Sequence, residues 1–272
     1  MTGLCDLHAH TTYCDGADSC EGMVLAAIEA GLEVFGISEH SRTSVPFDTG
    51  NLTAESLPRY LAEMRRLREK YADKITLFAG IEQDRLGDMP ADGFDYVIGS
   101  THFIEEKGEF RFVDDGRDGQ RETADRLFGG DFYAFAEKYF ETEASVARVT
   151  HCGIVGHFDL VNKNNENGLL FDTSHPRYRA AAISSMSEIL KTQRLFEVNT
   201  GAMYRVGRGE QYPQTWLLRE LSERGGEVIL SSDAHAAGAL AYKFPEMEEL
   251  LRSVGFKHRK VLTPQGFADI KL

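Results

Sequence analysis

LCDLHAHTTYCDG, residues 4–16, decides how the rest of the chain reads. A short apolar run over residues 4–7 ends in His8 and His10. These alternate with Ala9 on an extended segment, so both rings can face one side. Asp15 follows after a turn through Cys14 and Gly16, which swings a carboxylate back towards them.

The same arrangement recurs along the chain. Apolar runs cover residues 34–38, 75–81, 96–100, 154–158, 195–199 and 228–231. They are short and mostly rich in Val, Ile, Leu and Phe, which predicts strands buried on both faces. Amphipathic stretches over residues 19–30, 53–71, 131–149, 177–191, 215–224 and 245–254 separate most of them. Strands alternating with helices predict parallel βα units of the α/β class. One sheet curled into a TIM-like barrel fits 272 residues. An open doubly wound sheet is the rival arrangement. Residues 103–130 form a long, charged, glycine-bearing connection, read as a lid loop over a site. The whole of residues 1–272 is expected to be one domain.

The polar ends of these runs carry the chemistry. Residues 34–38 lead to Glu39 and His40, 75–81 to Glu82, and 96–100 to His102. Residues 154–156 lead to His157 and Asp159, and 228–232 to Asp233 and His235. In a parallel barrel all strand C-termini share one face, so distant residues converge there. The convergent set is His8, His10, Asp15, His40, Glu82, His102, His157, Asp233 and His235. Three carboxylates packed together would raise one another's pKa values unless a cation neutralised them. Imidazole nitrogen with carboxylate oxygen suits Zn, Fe or Mn, so a metal site at the strand C-termini is expected. His151, His175 and His258 lie away from strand ends and read as structural or exposed.

The bulk properties narrow the function. A net charge of -13 argues against a nonspecific nucleic-acid or membrane surface, which would need a basic stripe. No apolar run approaches the roughly 20 residues of a membrane span. The N-terminus lacks a signal-peptide pattern, so a cytoplasmic protein is expected. Cys5, Cys14, Cys20 and Cys152 form no C-x-x-C pair and read as reduced thiols. Nothing in the sequence speaks to oligomeric state.

The motifs "DLHAHTTYCDG", "GISEH", "GIEQD", "GSTHF", "GHFD" and "SSDAH", spread in that order over residues 6–235, resemble the polymerase and histidinol phosphatase (PHP) superfamily. "GGDFYAFAEKYFE", "VGHFDLV" and "FEVNTGAMYRVGRGEQYP" resemble its histidinol-phosphate phosphatase branch. The resemblance implies a distorted (β/α)7 barrel holding three divalent ions, Zn foremost, with Fe or Mn as alternatives. It assigns one ion to His8, His10, Glu82 and Asp233. A second falls to Glu82, His102 and His157, and a third to Asp15, His40 and His235.

Three divalent ions against three carboxylates leave a positive pocket on a negative protein, which suits a phosphate. The expected reaction is hydrolysis of L-histidinol phosphate, a step of histidine biosynthesis, by a hydroxide bridging the ions that share Glu82. Asp233 or a metal-bound water is the candidate proton donor to the leaving group. Arg205 matches an arginine the family uses for the phosphate. A second usual arginine is replaced here by Asn162, leaving Lys163, Arg208 or Arg42 to compensate. Another small phosphate ester is the alternative substrate. A noncatalytic PHP module and a metal-dependent amidohydrolase are the readings from other classes.

Overall fold

The computed structural model describes residues 3–89 and 92–272. Its strands are β1 (Cys5–Asp6), β2 (Val34–His40), β3 (Thr76–Asp84), β4 (Tyr96–Ser100), β5 (Phe103–Glu106), β6 (Glu109–Phe112), β7 (Ile154–Val155), β8 (Leu195–Asn199), β9 (Glu227–Ser231), β10 (His258–Thr263) and β11 (Gly266–Lys271). Its α-helices are α1 (Cys20–Glu29), α2 (Leu57–Lys70), α3 (Gly116–Phe128), α4 (Phe132–Glu143), α5 (Val146–Thr150), α6 (Pro176–Ile189), α7 (Gly201–Arg205), α8 (Thr215–Glu223) and α9 (Phe244–Ser253).

The strands pair in the order β1-β2-β3-β4-β7-β8-β9, every neighbour parallel. The ends of this sheet then meet. The His10 N–H donates to the Ala234 carbonyl at 2.8 Å, and the Ala234 N–H donates to the His8 carbonyl at 3.1 Å. A nearly closed, distorted seven-stranded barrel results, sealed where the histidines sit. The helices cover its outside, because strands buried on both faces need a second apolar layer. Among the described residues no helix is long and apolar enough to cross a membrane.

Leu7, Phe78, Tyr96, Ile98, Ile154 and Ile229 fill the barrel interior. Tyr96 dictates two glycines. A Cβ on Gly36 would lie 2.3 Å from its hydroxyl oxygen, and one on Gly80 would lie 2.2 Å from its ring. The tyrosine hydroxyl donates to the Leu7 carbonyl, which satisfies the one polar atom this packing buries.

Three features depart from the sequence reading. Residues 103–130 are not a loop. They hold the β5–β6 hairpin, turned by Lys107 and Gly108 at φ 53° and 77°, followed by α3. Charges flanking the phenylalanines hid the strand alternation. The buried face of α3 is Gln120, Thr123, Ala124 and Leu127, too polar to show an apolar stripe. The stretch 131–149 is two helices rather than one. At the break, the Ser145 hydroxyl donates to the Thr142 carbonyl at 2.9 Å and accepts from Arg85 Nε at 2.6 Å. Such local side-chain bonds compete with helix continuation.

The third feature is the β10–β11 hairpin, which the strand–helix alternation does not announce. Its Val261 and Leu262 join the interior cluster. Arg259 reaches the Gly3 carbonyl, and Lys260 pairs with Glu227 at the start of β9. The hairpin therefore closes the end of the barrel opposite the histidines.

Candidate metal centre

Six of the seven barrel strands, all but β8, deliver a candidate ligand to one face. His8 and His10 follow β1, His40 ends β2, and Glu82 lies within β3. His102, His157 and the pair Asp233 and His235 follow β4, β7 and β9. Asp15 comes from the loop after β1. The structure brings all nine of these residues together.

Glu82 is the hub. Its two oxygens lie 2.8 Å from His157 Nε2, 2.8 Å from His40 Nδ1, 3.2 Å from His8 Nε2, 3.3 Å from His102 Nε2 and 3.5 Å from His10 Nε2. Asp233 Oδ1 stands 3.4 Å from His10 Nε2 and 3.8 Å from His8 Nε2. Asp15 stands 3.2 Å from His235 Nε2 and 3.7 Å from His40 Nε2. Donor atoms close enough to share an ion fall into groups: His8, His10 and Asp233; His40, Glu82 and His102; His10, Asp15, His40 and His235; and His10, Cys14 and Glu39. His40 thus stands between Glu82 and Asp15 and shares groups with both.

Positive neighbours hold the buried carboxylates ionised. Burial alone would raise Glu82, but His8, His40 and His102 outweigh it and hold the carboxyl well below its usual range. Burial likewise works against Asp233, and Arg205 and His8 overcome it. The imidazoles cannot all supply that charge. His10 packs at 4.2 Å, centroid to centroid, against both His40 and His235. Its burial, with those two neighbours, drives it well below the usual histidine range.

Buried donors also lack partners. His8 Nε2, His10 Nε2 and Glu82 Oε2 make no hydrogen bond, although all three are buried and aimed at one another. Buried polar atoms are rarely left so without something to bind. A cluster of imidazole nitrogens and carboxylate oxygens with orphaned inward-facing atoms fits divalent ions of the Zn, Fe or Mn type.

The supporting residues escaped the sequence reading. Glu197, fully buried in β8, accepts from His8 Nδ1 at 2.7 Å, from the His157 backbone N–H at 2.6 Å and from the Asn199 amide at 2.8 Å. Asp84 of β3 faces His102 Nδ1 at 3.1 Å and accepts its backbone N–H at 2.7 Å. Both carboxylates turn the Nε2 atoms inward. The available signal was an acid inside an otherwise apolar strand.

A cavity of about 300 Å³ opens over the cluster. Arg205 and Lys163 line it; Arg42 and Arg208 do not. Arg205 pairs with Asp233 at 2.8 Å, and Lys163 with Asp114 at 2.6 Å. Arg42 is exposed on the surface. Arg208 is buried against the Tyr212 ring, 4.1 Å from its centroid, because the chain after α7 turns inward there. Asn162 is also buried, accepting from the Asn165 amide at 3.0 Å. Asp48, Asp114, Phe103 and Phe112 line the cavity too. His175 caps α6, accepting from the Arg177 N–H, while His151 and His258 are exposed.

Known proteins are similar to this chain. The PHP domain profile matches residues 6–201. The chain is similar to the probable histidinol-phosphatase of Deinococcus radiodurans, 30% identical over 279 residues covering 96% of this chain and 99% of the other. It is 23% identical to the histidinol-phosphatase of Bacillus subtilis, over 88% of this chain and 96% of that one. Among solved structures, the histidinol phosphate phosphatase of Lactococcus lactis, complexed with Zn, L-histidinol and phosphate, superposes with a TM-score of 0.71. That match is 21% identical and covers 98% of this chain and 99% of that one.

Proposed function

We infer the function from one premise: this chain belongs to the PHP domain family. It is a phosphoric monoester hydrolase, and the substrate that fits best is L-histidinol phosphate. The observation that carries this reading is the set of orphaned, inward-facing donors His8 Nε2, His10 Nε2 and Glu82 Oε2 beneath a cavity that also holds Arg205. The likeness to histidinol-phosphatases over nearly the full chain supports it.

His8, His10, Asp15, His40, Glu82, His102, His157, Asp233 and His235 would hold three divalent ions, Zn foremost, with Glu82 shared. Bound there, such ions lower the pKa of water and neutralise phosphoryl charge. The chain's own residues do the rest. Glu197 and Asp84 fix the imidazole orientations. Arg205, beside Asp233 and His235, offers N–H groups to phosphate oxygens. Lys163 adds a point charge, moderated by Asp114. Arg205 and His8 hold Asp233 ionised, which suits it to a ligand's role and not to carrying a proton for the departing alkoxide.

The remaining lining suits the rest of the substrate. The Asp48 carboxylate complements an ammonium group, and Phe103 and Phe112, packed on each other at 4.4 Å, offer an aromatic face to a planar imidazole. The β5–β6 hairpin carries those rings and serves as the cover of the site. On the same reading the protein is a single-domain enzyme of the cytoplasm.

The test couples metal analysis to turnover. Wild-type protein should hydrolyse histidinol phosphate far faster than p-nitrophenyl phosphate. Glu82→Ala should lose at least one metal equivalent and nearly all turnover. Equal rates on the two esters would point to another small phosphate ester, and retained turnover in the variant would remove the shared-ligand role.

A further inference from the structure

We propose that Cys14 and Glu39 form a relay that positions His10 for ion binding. The inference rests on the metal-centre reading and deepens it. A ligating imidazole that binds through Nε2 carries its proton on Nδ1, and that N–H needs an acceptor. For His8 the acceptor is Glu197 at 2.7 Å, and for His102 it is Asp84 at 3.1 Å. His10 has no carboxylate at that position. Its Nδ1 lies 3.4 Å from Cys14 Sγ, and Cys14 in turn donates its S–H to Glu39 Oε2 at 2.7 Å.

Glu39 is built to receive that bond. It is fully buried at the end of β2. It accepts the Thr11 backbone N–H at 3.1 Å and the Thr11 hydroxyl as well. The segment from His10 to Asp15 is thereby clamped to the neighbouring strand. The sulfur also lies 3.3 Å from Asp15 Oδ1, so one thiol touches two of the ligating residues.

The thiol has the required two-sided chemistry. Its lone pairs accept from His10 Nδ1–H while its proton goes to Glu39. A serine hydroxyl in the same place can do both; an alanine methyl can do neither. Without the relay, nothing at Nδ1 distinguishes the ring orientation that points Nε2 at Glu82 and Asp233 from its flipped alternative. Cys14 and Glu39 are therefore positioning residues for a metal ligand.

The experiment measures zinc content and zinc affinity by chelator competition on full-length wild type, C14A, C14S and E39Q. The unfolding temperature of each metal-free protein is recorded alongside. C14A should bind its weakest-held zinc about 10–100-fold less tightly, the range expected when a ligand's hydrogen-bond partner is removed. C14S should recover most of that loss, and the metal-free unfolding temperatures should stay close together. E39Q should weaken binding in the same direction as C14A.

A wild type that takes up no zinc would refute the metal reading itself. Wild-type affinity in C14A would overturn the relay while leaving that reading intact. A C14S variant as weak as C14A would overturn it too, since it would indicate direct ligation by sulfur. If C14A does not fold, E39Q against C14S decides: loss in the first and retention in the second supports the relay, and equal affinities overturn it.

Discussion

Glu197 shows what a residue can do without facing the substrate. Its carboxylate receives the His8 Nδ1 proton and the His157 backbone N–H, so two strand ends are oriented by one side chain. Its own burial opposes ionisation, and the charge on His8 outweighs that, keeping it below the usual glutamate range. Glu197→Gln preserves size and removes the charge. Zinc affinity should fall about 10–100-fold, read by chelator competition; unchanged affinity would mean that His8 needs no carboxylate behind it. The candidate ligands themselves were legible in the sequence because all but Asp15 sit at the polar end of an apolar run. Glu197 was not, because it lies inside its run and its partner His8 is 189 positions away. Arg208 misled for a related reason: a basic residue near a site in sequence turned out to be stacked on Tyr212 in the interior.

Among the elements, the seven barrel strands were the most legible, since burial on both faces leaves an apolar run with clear ends. The two hairpins were not. Each has one exposed face, and Glu105, Lys107 and Glu109 in the first make it read as a solvated loop. The barrel interior also holds a constraint that only packing explains. Gly36 and Gly80 are glycines because Tyr96 crosses the barrel in front of them. Gly80→Ala should destabilise the fold by about 1–3 kcal/mol, the usual cost of overpacking a rigid interior. Urea unfolding of the metal-free protein measures it; an unchanged midpoint would show that the tyrosine ring gives way freely. In contrast, α1 was plain in the sequence, since Ser19 caps it and accepts from the Gly22 N–H at 3.1 Å.

At the scale of the molecule, a chain with net charge -13 lines its cavity with six carboxylates against Arg205 and Lys163, so the local charge turns positive only if divalent ions are added. Elsewhere it buries carboxyls that contribute no ligand. Glu143, at the end of α4, is buried with neither oxygen hydrogen-bonded. Burial pushes its pKa well above 4.5, with the Asp84 charge adding and Thr101 partly offsetting. The folded state therefore keeps a proton that the unfolded chain releases above its ordinary pKa. Stability must fall as pH rises from that ordinary value towards the raised one. Glu143→Gln removes this term, so its stability relative to wild type should increase between about pH 5 and about pH 8, measured by urea unfolding at each. A difference that does not change with pH would show the carboxyl to be ionised alike in both states. The sequence by itself determined the barrel class and which polar groups would gather at one face, because both follow from local rules: apolar runs make buried strands, and polar groups at their ends share a face. Only the tertiary structure decided which acids stand behind the imidazoles, which cations reach the cavity and what closes the barrel floor. Those depend on side chains brought into contact from distant strands, and no local pattern encodes that register.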